Sequence, residues 1–297
     1  MSHPHDPGTG ELLVADSYDP CPVNLQTKHR LHAQEIAHSL DLRKYDGIIC
    51  VRGDGFLVEV VNGLLQREDW GTAIKVPLGI IPAGTGNGMA QSLLHAAGEP
   101  FSISNAVFAI IRGNSFLLHR SQHALDVTSV VQGKTRFFSV LMLTWGLVAD
   151  IDIESEKYRW MGIARLEFYI LCSAMCNTTS LQFLLRVLNM RQYNGRVLFV
   201  PAPGYEEVGE PVEQSTSCKQ NGVNTGSHED KANDRNGETS GYPGPSIQEA
   251  DLEWRSLSCP FISVWLGNVP FASEDAMAAP NAEVNLTSFW FAYPLCP

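Results

Sequence analysis

The chain reads as an α/β domain with crossover helices, followed by a largely antiparallel β domain. Three observations predict this. Strand and helix patterns alternate up to about residue 113, two strands end in glycine-rich turns, and strand-like runs without long helices dominate the remainder.

Residues 1–24 hold Pro, Gly, Asp and His with little periodicity and are expected to form a disordered leader. Leu31, Ile36, Ala37 and Leu40 suggest a short amphipathic helix, and Tyr45-Asp46-Gly47 turns into a strand at 48–51. Leu57, Val60, Val61, Leu64 and Leu65 repeat at i, i+3, i+4, i+7 and i+8, one apolar helical face. Lys75 to Ile81 reads as the next strand, and 89–97 and 106–111 as helices. Strand–helix–strand–helix order favours a parallel sheet over residues 25–115.

After Gly113, residues 125–131, 136–145, 197–200 and 261–266 read as strands, with a helical stretch between Arg159 and Met190. They define a second domain over 116–205 and 252–283, interrupted by an acidic segment at 206–251. That interruption holds ten Asp/Glu against three Lys/Arg and accounts for −7 of the chain's net charge of −11. Rich in Gly, Ser, Asn and Glu, it is expected to be a disordered insertion. Residues 284–297 form an apolar, divergent tail.

A net charge of −11 excludes a broad nucleic-acid surface, which needs a basic face. Seven scattered cysteines without a C-x-x-C pair favour reduced thiols over a disulfide framework or zinc site. The N-terminus has no charged-then-apolar signal pattern, and the longest apolar run, 137–149, is too short to span a bilayer as a helix. These features predict a cytoplasmic protein. Its oligomeric state stays open.

Chemistry concentrates in Cys50-Val-Arg-Gly-Asp-Gly55 and Pro82-Ala-Gly-Thr-Gly-Asn-Gly88. Glycines at a strand-to-helix turn let backbone N–H groups approach and face an anion, which a helix N-terminus also favours. Two such turns from neighbouring strands suggest a phosphate cradle, with Asp54 beside the phosphates, and hence phosphoryl transfer. The bland alternatives are a positive-φ turn for Gly53 and Gly55 and a helix cap for Asp54. Asp150, Asp152, Glu154 and Glu156 alternate, so on a strand they share one face; by pattern alone that is a solvated edge.

These residues, with Trp145-Gly-Leu-Val-Ala-Asp-Ile-Asp-Ile-Glu-Ser-Glu-Lys-Tyr-Arg159, resemble the sphingosine kinases, plant branch, within the diacylglycerol-kinase catalytic superfamily. Arg191-Gln-Tyr-Asn-Gly-Arg-Val, Pro201-Ala-Pro-Gly-Tyr205 and Ser273-Glu-Asp add to the resemblance, which covers about Leu25 to Ala282. It implies an NAD-kinase/diacylglycerol-kinase-like α/β nucleotide-binding domain followed by a mostly antiparallel β-sandwich lipid domain, with a cleft between. It implies transfer of the γ-phosphate of ATP, with Mg²⁺, to the primary hydroxyl of a sphingoid base, with transient contact at intracellular membranes. Asp54 then orients or deprotonates the hydroxyl. Gly53, Gly55, Gly84, Thr85, Gly86 and Asn87 lie along the nucleotide, with Arg159 and Arg165 reaching its phosphates. Asp152 holds the sphingoid amine and secondary hydroxyl, and Glu156 orders that region. No protein metal ligand is implied.

The chain departs from the pattern in four places. Arg52 replaces a Gly or Ser, residues 1–24 do not supply the expected first strand and Asn-Pro glycine loop, the 112–126 connection is long, and the Asp-Gly and Gly-Glu strands after 283 are replaced. The expectation is therefore a kinase with weak or no activity. The alternatives are a diacylglycerol or ceramide kinase, or a non-catalytic lipid-binding or regulatory fragment.

Overall fold

A computed structural model describes residues 10–16, 19–115, 125–132, 135–155, 192–201, 204–212, 241–244, 252–280 and 288–292. Strand β1 (Glu11–Asp16) buries Leu12 and Val14 and pairs antiparallel with β2 (Asp19–Gln26) and β3 (Gly47–Val51). Only β3 and β4 (Leu78–Ile81) run parallel, so the sheet, in order β2-β1-β3-β4, is mixed. The disordered leader expected over 1–24 thus gives way to strand from Glu11 onward, antiparallel to β3 and without an Asn-Pro glycine loop. Period-two burial of Leu12 and Val14 supplies the apolar contact that composition alone concealed. The expected strand from Lys75 starts only at Leu78, because Lys75 N–H donates to Thr72 O at 3.1 Å and Val76 N–H to Ala73 O at 3.2 Å in the turn before it.

Helix α1 (His32–Ser39) precedes β3, and α2 (Asp54–Leu65) with the short α3 (Trp70–Ala73) crosses from β3 to β4. Buried residues occupy every side of α2 from Phe56 to Leu65, as in a helix enclosed by other elements. Gly63 lets α1 come close, since a Cβ there would lie 2.4 Å from Gln34 O. After α2, Arg67 donates to His38 O at 2.6 Å and Leu40 O at 2.9 Å, satisfying carbonyls at the end of α1. Helices α4 (Gly88–Ala96) and α5 (Ile103–Ser115) complete this half.

The second half is antiparallel in every strand pair among the described residues. It contains β5 (Thr128–Gln132), β6 (Thr135–Ser139), β7 (Met142–Gly146), α6 (Leu147–Ser155), β8 (Tyr193–Phe199), β9 (Glu210–Pro211), β10 (Arg255–Phe261), β11 (Ser263–Gly267) and β12 (Ser288–Ala292). They form a β5-β6 hairpin and sheets of order β8-β10-β9 and β12-β11-β7. The run 136–145 breaks at Val140-Leu141, where Asn268 N–H donates to Leu141 O at 2.9 Å. Phe138, Val140 and Val269 join the buried cluster of Leu57, Val60 and Leu64. The buried Asn62 of α2 fastens β6 to it: Nδ2 donates to Phe138 O at 2.8 Å, and Oδ1 accepts Phe138 N–H at 2.9 Å.

Two sequence expectations change here. Parts of the acidic interruption are built into the fold. Glu210–Pro211 pairs with β10, and Tyr242 donates its N–H to Leu65 O at 2.8 Å, with its ring 4.6 Å from that of Trp70. A single aromatic side chain provides the burial that the segment's average composition lacks. Residues 213–240 and the helical stretch expected within 159–190 lie outside the described residues. Second, Asp150, Asp152 and Glu154 are helical. At about 100° per residue Asp150 and Glu154 stay on one face and Asp152 moves to the other side of the helix, so the three no longer form a single row. Gly146, at φ +91°, turns the chain out of β7, and Leu147 N–H is held by Ile262 O at 2.9 Å. No described helix is long and apolar enough to cross a membrane.

Candidate active site

Parallel pairing of Val51 with Ile81 brings both strand ends, and the two glycine turns that follow, to the same edge of the sheet. The turns touch through their backbones. A Cβ on Gly84 would lie 2.3 Å from Gly53 N, and one on Gly53 would lie 2.5 Å from Gly86 O. Neither Gly53, Gly55, Gly84 nor Gly86 has positive φ, so the turn conformation is not what requires glycine. Close approach requires it at Gly53 and Gly84. Gly55, exposed in the first turn of α2, faces open space.

Asp54 opens α2, yet its carboxylate caps α4 across the two turns. Oδ2 accepts Gly88 N–H at 2.8 Å and Oδ1 accepts Met89 N–H at 3.0 Å, while Asp54 N–H donates to Gly86 O at 3.0 Å. The capping alternative is therefore realised, but on the second helix. Burial raises the Asp54 carboxyl to about 6, with the Met89 and Gly88 N–H groups opposing the rise and the Glu274 charge adding to it. Each carboxylate oxygen keeps a further lone pair, so the group can also accept a proton from a ligand.

Asn87 is buried and folds the second turn on itself. Its Oδ1 accepts Gly84 N–H at 3.2 Å, and its Nδ2 donates to Gly84 O at 2.9 Å and to Glu274 Oε1. Thr85 is exposed at the tip. The N–H groups of Gly53, Thr85 and Gly86 have no acceptor among the described residues, which leaves three backbone donors at the edge where an anion would sit. Arg52 N–H donates to Ile81 O at 3.2 Å. Its Cδ would lie 2.9 Å from a Cβ on Gly10, so the stem runs beside the start of β1.

Glu274 and Ser92 escaped sequence reasoning as site residues. Ser92 Oγ donates to Gly88 O at 2.7 Å and accepts Phe271 N–H at 3.1 Å. Both residues join α4 to the loop after β11, and no local spacing could have paired positions so far apart.

The expected acceptor-side residues are placed in part. Asp152 is exposed on α6, and its neighbour Asp150 accepts a hydrogen bond from Tyr193 Oη. Tyr193 stands 5.7 Å, ring to ring, from Trp145, which also meets Phe261 at 6.1 Å. Trp145 is 44% and Ile153 72% exposed, so carboxylates and apolar surface adjoin around α6. Glu156, Arg159 and Arg165 lie outside the described residues.

Residues 20–117 match the diacylglycerol kinase catalytic domain family. The chain is 52% identical over 258 residues to Sphingosine kinase 1 of Arabidopsis thaliana, covering 87% of this chain and 46% of that protein. Identity to Sphingosine kinase 2 of the same plant is 48% over 258 residues, covering 87% and 47%. A diacylglycerol kinase structure from Bacillus anthracis str. Sterne aligns at TM-score 0.43 and 15% identity, over 90% of this chain and 60% of that one. The matched family and the two plant sequences bear out the resemblance read from the motifs. The chain spans about half the length of the curated relatives it matches.

Proposed function

We propose that this chain carries the phosphoryl-transfer site of a sphingoid-base kinase. The reaction moves the γ-phosphoryl group of ATP to the primary hydroxyl of sphingosine, sphinganine or phytosphingosine. The observation that carries this reading is the half-buried Asp54 carboxylate at the junction of two touching glycine turns, beside N–H donors that have no acceptor among the described residues. The names of the plant relatives support a sphingoid acceptor over diacylglycerol or ceramide.

In the reaction, the acceptor oxygen forms a bond to the γ-phosphorus as the bond to the ADP oxygen breaks, and the hydroxyl proton passes to Asp54. Such transfer depends on positioning and charge stabilisation more than on covalent help. The N–H groups of Gly53, Thr85 and Gly86 line the phosphates, with Arg159 and Arg165 neutralising their charge. Asp152, ordered with Glu156, holds the cationic amine, and the antiparallel half forms a sandwich that receives the lipid tail at the cytosolic face of a membrane. Among the described residues the one cluster with metal-ligand spacing is His29, His32 and Glu35, whose nitrogen donors do not suit Mg²⁺. In this reading the cation enters with ATP, as part of the substrate.

The test is transfer from labelled ATP to sphingosine, diacylglycerol and ceramide in matched micelles. Sphingosine should be the acceptor, and Asp54→Asn should lower its turnover about a hundredfold or more. Undiminished turnover in Asp54→Asn, or preference for diacylglycerol, would overturn the reading.

A further inference from the structure

The loop after β11 is a closed finger. Ala272 N–H donates to Ala276 O at 2.8 Å, Ala278 N–H donates to Pro270 O at 2.9 Å, and Phe271 bridges Met277. Its base is fixed on α4 through Phe271 N–H and Ser92 Oγ, and the His95 and Phe271 rings meet at 5.1 Å. Gly88 admits it, since a Cβ there would lie 2.5 Å from Phe271 O. Glu274 stands within this finger and reaches Asn87 of the phosphate turn.

Asn87 spends both amide hydrogens, one on Gly84 O and one on Glu274, while its oxygen accepts Gly84 N–H. A carboxylate can only accept, so Glu274 dictates which end of the amide faces the finger and which faces Gly84. Without it, a buried N–H loses its partner, and the amide can turn over at the expense of both contacts to Gly84. The same turn supplies Gly86 O to Asp54 N–H and presents Gly88 N–H to Asp54 Oδ2.

We propose that Glu274 is a positioning residue: carried by the antiparallel half, it locks the 84–87 turn through Asn87 and thereby aligns the phosphate donors with Asp54. The proposal rests on the kinase reading for its substrate, though the lock itself does not. It also gives the antiparallel half a direct hold on the nucleotide turn of the α/β half.

Glu274→Ala and Glu274→Gln separate geometry from charge, because Gln can still present an oxygen to Asn87. Asp275→Ala, at the exposed neighbour, serves as control. ATP affinity, kcat and KM with sphingosine, amide exchange at Gly84, Gly86 and Gly88, and the NMR titration of the Asp54 carboxyl are read on each protein. Glu274→Ala should weaken ATP binding about tenfold and accelerate exchange through the turn. Glu274→Gln should restore both to within about twofold, as a retained hydrogen bond requires. Loss of the Glu274 charge should lower the Asp54 midpoint in Glu274→Gln, where the turn is kept, whereas in Glu274→Ala the loosened Gly88 and Met89 N–H bonds oppose that fall.

ATP affinity and turn exchange unchanged in Glu274→Ala, or a fall in melting temperature alone, would overturn the proposal. If the unaltered chain binds no ATP, the kinase reading fails, while amide exchange through the turn still decides the lock. If Glu274→Ala does not fold, unchanged turn exchange in Glu274→Met, which keeps the length but offers Asn87 no carboxyl oxygen, would overturn it.

Discussion

Gly53 and Gly84 stand backbone against backbone: a Cβ on Gly84 would lie 2.3 Å from Gly53 N and 2.4 Å from its Cα. Those neighbours are main-chain atoms and cannot rotate away, so Gly84→Ala must separate the two turns. It should abolish ATP use, and Gly53→Ala should do nearly as much against Gly86 O. Gly55, with nothing within 4 Å of a Cβ, should behave differently. Gly55→Ala should keep activity and raise stability by up to about 0.5–1 kcal/mol through its helix-favouring backbone. Turnover and thermal melts of the three variants check this, and equal damage at Gly55 would mean a ligand fills that space.

Asp54 should make both stability and activity depend on pH. Its folded-state pKa of about 6 lies above the unfolded carboxyl value near 4. Between those values the folded state binds more protons, so the contribution is present below about pH 4 and lost as pH rises through about 6. The melting temperature of the unaltered chain should therefore fall across this window more than that of Asp54→Asn. Activity should run the other way, rising through pH 6 and levelling above it as the carboxylate becomes available to take the hydroxyl proton. A flat difference between the two melting curves would show that Asp54 is not held in a costly environment.

Local pattern made some of this structure legible and hid the rest. The apolar spacing from Leu57 to Leu65 announced α2, and the glycine strings announced two neighbouring turns. The positive-φ alternative for Gly53 and Gly55 does not hold, and the contact between Gly53 and Gly84 is a property of two parallel strands and not of either string. Leu12 and Val14 belong to the unbroken apolar run Leu12-Leu13-Val14-Ala15, whose alternation appears only in its burial and is too short to stand out beside Pro and Gly. The carboxylates from Asp150 onward alternate as on a strand, and only Gly146 and the hold of Ile262 O on Leu147 make them helical. Glu274 is legible only as part of Ser273-Glu-Asp, a resemblance that gives it no role, since its partner Asn87 lies in the other half of the fold.

Asn62 should prove a structural polar residue. Its side chain satisfies both backbone groups of Phe138, with a further bond from Nδ2 to Val58 O at 2.8 Å. Asn62→Leu keeps the volume and strands the Phe138 N–H and C=O in a buried setting. The cost should be about 2–4 kcal/mol, visible as a lower denaturation midpoint without a change in KM for ATP. An unaffected midpoint would mean that β6 is not fastened to α2 through this contact.

The two carboxylates of α6 should divide stability from acceptor recognition. Asp150 is tied to Tyr193 on β8, where the Trp145 and Phe261 rings also gather, whereas Asp152 is exposed on another side of the helix. Asp150→Ala removes the acceptor of the Tyr193 hydroxyl and should lower the melting temperature, and Tyr193→Phe should reproduce part of that loss. Asp152→Ala should raise KM for sphingosine about three- to tenfold, the range of an ion pair that is only partly shielded from water. KM for ATP should stay constant, because the nucleotide turns belong to the other half of the fold. An uncharged acceptor such as diacylglycerol supplies the decisive contrast: Asp152 can discriminate only through the amine. If Asp152→Ala changes the two acceptors alike, the carboxylate acts on the fold of α6 and amine recognition must be sought elsewhere.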